Sequence, residues 1–132
     1  MRTKNNPKVI VDTYIWIEFF RTKSKISNHL RDLISNDFVV GNGLILAELI
    51  QGIKTNSDKE VIIDVFNTIE YIEITRELWI ESGDLARELR SSGKIIPLSD
   101  VIIACCARKY QYHIFTIDKH FQDIPNIKII NF

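Results

Sequence analysis

The chain has 132 residues, of which 45% are hydrophobic and 26% are charged. This length fits one domain around a single core, and the composition is that of a soluble globular protein. Charged residues interrupt each apolar stretch well before the roughly 20 residues that span a bilayer, which argues against a membrane protein. Asp12 and Glu18 also interrupt the apolar segment behind the basic start, a poor signal peptide, so we expect a cytoplasmic protein.

The charge balance bears on the class of partner. The 17 basic and 17 acidic side chains give a net charge of zero, which at first argues against a nucleic-acid partner. If four carboxylates bind metal, the 17 basic residues face 13 remaining acidic ones, and the rest of the chain carries +4. A positive face for phosphates is then permitted, although it is not required.

Strand-like and helix-like segments alternate along the chain. Runs rich in β-branched residues predict strands, and apolar side chains at helical spacing predict amphipathic helices. This alternation predicts one α/β domain over residues 8–132, with a central, mainly parallel sheet flanked by helices, after a short extension at 1–7. In chain order the predicted elements are a strand at 8–11, helices at 14–20 and 26–35, a strand at 38–40 closed by 41–43, helices at 44–55 and 59–68, a strand at 71–74, helices at 76–91 and 97–110, and strands at 113–117 and 127–130.

Four acidic side chains occupy positions that a shared site would need. Asp12 and Asp118 each follow a predicted strand, and the carboxyl ends of parallel strands meet at one edge of a sheet, where ligands bind. Asp100 begins a helix that is apolar all round and therefore buried, which could bring it to the same edge. Glu48 lies off the apolar stripe of its own helix.

Carboxylates brought this close repel one another and raise each other's pKa values. A hard divalent cation with oxygen ligands relieves that repulsion. Two ions about 3.5–4 Å apart could activate water and stabilise the leaving oxygen in phosphodiester hydrolysis. The four acids therefore indicate a metal site that holds one or two ions.

Each acid also has a purely structural explanation when it is considered alone. Asp12 could cap the helix behind it, Asp118 could initiate a turn, and Asp100 could favour a helix start next to an N-capping Ser99. Glu48 could be a solvated helix residue. The joint pattern of two strand-end acids and two helix acids is harder to explain by capping.

Segments around these acids resemble the PIN-domain nucleases, specifically the VapC-type toxins of prokaryotic toxin–antitoxin pairs. The resemblance covers nearly the whole chain, and its four segments lie in the family's order and spacing. They are VIVDTYIW at 9–16, LILAELIQG at 44–52, LSDVIIA at 98–104 and IFTIDKHF at 114–121.

The resemblance implies a metal-dependent endoribonuclease toxin that uses Mg²⁺, with Mn²⁺ as the alternative ion. By position, Asp12, Glu48, Asp100 and Asp118 would be the catalytic and metal-binding acids, and Thr116 would orient a metal-binding carboxylate. The implied partners are an RNA substrate, a cognate antitoxin protein and a second copy of the chain in a homodimer.

The cysteines and histidines have simpler predicted roles than the acids. We expect the adjacent Cys105 and Cys106 to be buried and reduced. We expect His29, His113 and His120 to have surface or structural roles, although His120 is close enough to Asp118 to approach the site.

Two alternative functions are a signalling receiver domain and a non-catalytic module that binds metal only. A receiver domain needs paired acids after the first strand, and this sequence lacks them. Dinucleotide and P-loop glycine patterns are absent from the sequence.

Overall fold

The computed structural model describes residues 7–131, so the expected extension at 1–7 lies, except for Pro7, outside the described residues. Within the described range the chain forms five strands, six α-helices and one short 3-10 helix. In chain order they are β1 Val9–Val11, α1 Thr13–Arg21, α2 Lys25–Ser35, β2 Val39–Asn42, α3 Gly43–Gln51, α4 Asn56–Phe66, β3 Glu70–Ile72, α5 Arg76–Ser91, α6 Leu98–Tyr110, β4 His113–Phe115, the 3-10 helix Lys119–Asp123 and β5 Lys128–Ile130.

All five strands belong to one sheet, in the order β3-β2-β1-β4-β5, and every neighbouring pair is parallel. The α/β fold with a parallel sheet flanked by helices is therefore confirmed. The central strand β1 is buried on both faces, with Ile10 opposite Val40 on one side and Ile114 on the other. Because the strands run in the same direction, the residues that follow β1 and β4 emerge side by side.

Helix α6 is the most deeply buried helix of the described structure, with every residue from Asp100 to Ala107 inside. It packs against β1, β4 and α5, which confirms the prediction from its apolar circumference. Cys105 and Cys106 are buried free thiols, as expected. Across residues 7–131, no helix combines the length and the apolar character needed to cross a membrane.

The predicted boundaries fail mainly where a side chain caps a helix or a small residue permits close packing. Gly41 and Asn42 belong to β2, whereas the sequence predicted that the strand ends at Val40. A Cβ atom at Gly41 would lie 2.9 Å from the Phe66 ring, so glycine lets α4 approach the strand. Asn42 ends the strand because its side chain accepts a hydrogen bond from the backbone N–H of Ile45 and caps α3.

Three further boundaries differ from the predictions for local reasons. Helix α3 ends at Gln51, and α4 begins at Asn56 because the Thr55 hydroxyl accepts a hydrogen bond from the Asp58 N–H. Strand β4 ends at Phe115, although the Thr116 N–H still donates to the carbonyl of Ile130 in β5 (3.4 Å). Gly93, two residues after the end of α5, has a φ of 81°, a left-handed conformation that glycine adopts readily.

Candidate metal centre

The carboxyl ends of β1 and β4 bring two acids to one edge of the sheet. Asp12 directly follows β1, and its N–H donates to the carbonyl of Phe115 at the end of β4 (3.0 Å). One Asp12 carboxylate oxygen, Oδ1, accepts a 2.8 Å hydrogen bond from the Thr13 N–H, so Asp12 also caps α1. The capping explanation is therefore correct, but it accounts for only one carboxylate oxygen of a residue that is 5% exposed.

Thr116 links Asp12 to Asp118. Its buried hydroxyl donates to Asp12 Oδ2 at 2.8 Å and accepts from the Asp118 N–H at 2.9 Å. Asp118 in turn accepts a hydrogen bond from the His120 N–H at the start of the 3-10 helix. The same short segment thus orients one acid and positions the other.

Asp100 lies in the first turn of α6 and is only 7% exposed. The suggested N-cap, Ser99, is wrong, because Pro97 occupies the cap position and provides no side-chain hydrogen bond. Burial, together with the charges of Asp12 and Asp118, raises the pKa of Asp100 to about 7. Burial also raises the pKa of Asp12, although the hydrogen bonds from Thr116 and Thr13 oppose that effect.

Glu48, on α3, is the fourth acid of this group. The Thr13 hydroxyl donates a 2.8 Å hydrogen bond to Glu48 Oε1, which ties α3 to the residue that follows Asp12. The charge of Glu48 contributes to the raised pKa values of both Asp12 and Asp100. The structure therefore brings together the four acids named from the sequence, which we call the acid cluster (Asp12, Glu48, Asp100 and Asp118).

His120 was predicted to have a surface or structural role, and its side chain lies beside two of the acids. Its Nδ1 atom lies 3.0 Å from Asp118 Oδ1 and 3.6 Å from Asp100 Oδ2, and its side chain is 49% exposed. A surface position is correct, but the ring faces the acid cluster. The available signal was its place two residues after Asp118, at the start of a helical turn. Thr13 was also missed, although it directly follows Asp12.

The donor set of the acid cluster fits a hard divalent cation. Carboxylate oxygens from four chain segments converge here. Within the described residues, His120 is the only ion-pair partner of these acids. Ligand atoms of Asp100, Asp118 and His120 lie within 4.8 Å of one another. Since burial and mutual repulsion disfavour the ionised acids, a cation bound among them would relieve both penalties.

Comparison with known proteins agrees with this geometry. The PIN domain family profile matches residues 9–127. Ribonuclease VapC1 of Methanocaldococcus jannaschii is 27% identical over 120 residues, which cover 90% of this chain and 82% of that protein. Ribonuclease VapC2 of Rickettsia felis is 30% identical over 109 residues, which cover 79% of this chain and 81% of that protein.

The fold has close counterparts among solved structures. In the structure of VapBC2 from Rickettsia felis bound to a DNA fragment from its promoter, one chain superposes with a TM-score of 0.78 at 25% identity. The match covers 93% of this chain and 97% of that one. By sequence profile, relatives and fold, this chain belongs to the PIN-domain family, among its VapC-type members.

Proposed function

We propose that this chain is a metal-dependent endoribonuclease that acts in the cytoplasm as the toxin of a toxin–antitoxin pair. The observation that carries the proposal is the acid cluster, in which four carboxylates converge at the carboxyl edge of the sheet in a PIN-domain fold. The family relationship to VapC ribonucleases supplies the substrate class.

The acid cluster would hold one or two Mg²⁺ ions, or Mn²⁺ as the alternative. Carboxylates are the protein ligands that Mg²⁺ prefers, and it keeps several of its waters when it binds. When bound, such an ion supplies electrostatic stabilisation to a phosphodiester and lowers the pKa of water.

Several side chains prepare the site for that chemistry. The Thr116 hydroxyl fixes the orientation of Asp12 and the backbone that carries Asp118, and the Thr13 hydroxyl fixes one oxygen of Glu48. These hydrogen bonds restrict carboxylate rotation, which keeps the oxygens directed for a ligand before it arrives. The buried wall that α6 forms around Asp100 keeps bulk water from one side of the site.

Exposed side chains beside the site suit a nucleic-acid substrate. Tyr14 is 50% exposed two residues after Asp12, and Ile117 is 48% exposed directly before Asp118. Unstacked RNA bases pack on aromatic and apolar side chains of this kind. We propose single-stranded RNA as the substrate.

An antitoxin and a second copy of the chain are the proposed protein partners. The support for the antitoxin is the set of similar folds solved as VapBC complexes. The homodimer follows from the family resemblance. Copurification with the protein encoded by the adjacent gene, followed by mass measurement of the assembly, would test both.

The ribonuclease proposal is tested by incubating the purified chain with total RNA and Mg²⁺, then sequencing the new RNA ends. Asp12→Asn and Asp100→Asn should each lower cleavage about a thousandfold, because a metal-binding acid supports several kcal/mol of transition-state stabilisation. Asp64→Asn, on the exposed side of α4, is the matched control and should cleave like the wild type. Full cleavage by both site variants would contradict the proposal.

A further inference from the structure

The imidazole of His120 occupies a fixed place at the edge of the acid cluster. Its backbone N–H donates to Asp118 Oδ1 at 2.9 Å, and the next residue, Phe121, is fully buried. These two contacts fix the backbone that carries the ring, and Nδ1 lies 3.0 Å from Asp118 Oδ1 and 3.6 Å from Asp100 Oδ2. The position therefore depends on local backbone structure and core packing, not on the ring's own contacts alone.

These contacts are poorly explained as a stabilising ion pair. The His120 side chain is 49% exposed, and ion pairs with such exposure contribute little to folding. A single half-exposed imidazole also offsets only a small part of the repulsion among four carboxylates. A role that uses the nitrogen lone pair accounts better for a ring directed at two acids.

The spacing of the donor atoms suits coordination of one ion. Adjacent ligand atoms around a six-coordinate ion of this size lie about 3 Å apart. Nδ1 lies 3.0 Å from the Asp118 oxygen, which matches that value, and 3.6 Å from the Asp100 oxygen, which is somewhat longer. Histidine nitrogen is a common ligand of transition metals, whereas Mg²⁺ takes oxygen ligands.

We propose that His120 Nδ1 is a direct ligand of a divalent ion held with Asp100 and Asp118, and that it makes this site favour Mn²⁺ over Mg²⁺. The inference rests on the proposed metal-dependent function and adds a nitrogen donor to its four acids. His120 thus differs from Glu48, which offers only carboxylate oxygens, one of which accepts a hydrogen bond from Thr13.

Two measurements on the full chain test this assignment. Electron spin-echo modulation of bound Mn²⁺ detects a directly coordinated ¹⁴N nucleus, and calorimetry gives the Kd for Mn²⁺ and for Mg²⁺. The variant is His120→Ala, which removes the ring but keeps the backbone hydrogen bond to Asp118. His29→Ala is the matched control, because α2 contributes no residue to the acid cluster.

The wild type and His29→Ala should show ¹⁴N modulation, and His120→Ala should lack it. His120→Ala should also weaken Mn²⁺ binding at least tenfold and Mg²⁺ binding less than threefold. The assignment is overturned if wild-type Mn²⁺ shows no coordinated nitrogen, if the signal survives in His120→Ala, or if both ions weaken equally. In these cases Mn²⁺-dependent RNA cleavage by the wild type would leave the proposed function standing, whereas a wild type that binds neither ion would overturn both.

Discussion

The two edges of the sheet differ in how far their charged side chains are paired. At the amino edge, the buried Lys8 ammonium lies 2.6 Å from Glu70 Oε1, and the Tyr112 hydroxyl donates to the other oxygen of Glu70. The charges there are paired within the fold. At the carboxyl edge, the acid cluster gathers four carboxylates with only the half-exposed His120 as an ion-pair partner in the described residues.

This difference distinguishes a structural ion pair from the proposed metal site. A paired buried charge contributes to folding, or costs little, and removal of one partner destabilises the protein. Carboxylates without compensation cost folding free energy and persist where binding requires them. Charge removal should therefore have opposite effects on stability at the two edges, and the following predictions test that contrast in order of decreasing effect.

The largest expected effect is a gain in stability from Asp100→Asn. At pH 8 without divalent ions, the variant should raise the free energy of unfolding by about 3 kcal/mol, because one pKa unit corresponds to about 1.4 kcal/mol and the ionised acid is disfavoured in the fold. Urea denaturation measures this change. A variant less stable than the wild type would contradict the claim that the negative charges at the carboxyl edge lack compensating positive charges.

The second prediction is that Mg²⁺ stabilises the wild type but hardly affects Asp100→Asn. At a concentration about 100 times the Kd, a ligand that binds only the folded state adds about 2.7 kcal/mol. Thermal denaturation with Mg²⁺ or with a chelator measures the difference. An equal response of both proteins would show that Mg²⁺ acts away from Asp100.

The third prediction concerns pH. The pKa of Asp100 is raised in the fold from 3.8 to about 7, so the folded state binds a proton more readily than the unfolded state over this range. The folding penalty is complete above about pH 7 and declines as the pH falls. The stability difference between Asp100→Asn and the metal-free wild type should therefore shrink by about 2 kcal/mol from pH 8 to pH 5. If the difference stays constant with pH, the ionisation of Asp100 is not its cause.

The fourth prediction concerns the orientation of Asp12. Thr116→Val keeps the shape of the side chain but removes the hydroxyl that donates to Asp12, so Mg²⁺ affinity should fall about tenfold, as is typical when an outer partner of a metal ligand is lost. Calorimetry measures the affinity. Thr22→Val is the control, because it removes a comparable hydroxyl–carboxylate bond to Glu18 at an exposed site and should leave Mg²⁺ binding unchanged.

The smallest expected effect comes from the amino edge. Glu70→Gln leaves Lys8 without its carboxylate partner and should lower the free energy of unfolding by about 1 kcal/mol, a modest loss because Glu70 is 43% exposed. Urea denaturation under the same metal-free conditions gives the comparison with Asp100→Asn. A stabilised Glu70→Gln protein would remove the contrast between the edges.

The sequence predicts best what depends on short periodic patterns. Asp12 and Asp118 could be placed at one edge because both follow strands of a parallel sheet, and α6 could be recognised as buried because apolar residues surround it. Glu48 could not be placed by pattern alone. Its position depends on a hydrogen bond from Thr13, 35 residues earlier, and only the family resemblance indicated it.

The remaining failures share a physical cause, which is that contacts distant in sequence decide them. The ring of His120 faces Asp100 through a 3-10 turn, and such short turns have no periodicity that reports side-chain direction. Gly41 extends β2 because the Phe66 ring packs against it, 25 residues later. Both features depend on how elements meet, and the sequence reports little of this beyond the place of His120 two residues after Asp118.

The central claim is that the carboxyl edge of the sheet, unlike the amino edge, binds a divalent ion. Calorimetric titration of Mg²⁺ into the wild type, Glu70→Gln and Asp100→Asn tests it most directly. The wild type and Glu70→Gln should bind with similar Kd values, and Asp100→Asn should bind at least tenfold more weakly. Absence of binding to the wild type, or equal binding by Asp100→Asn, would contradict the claim.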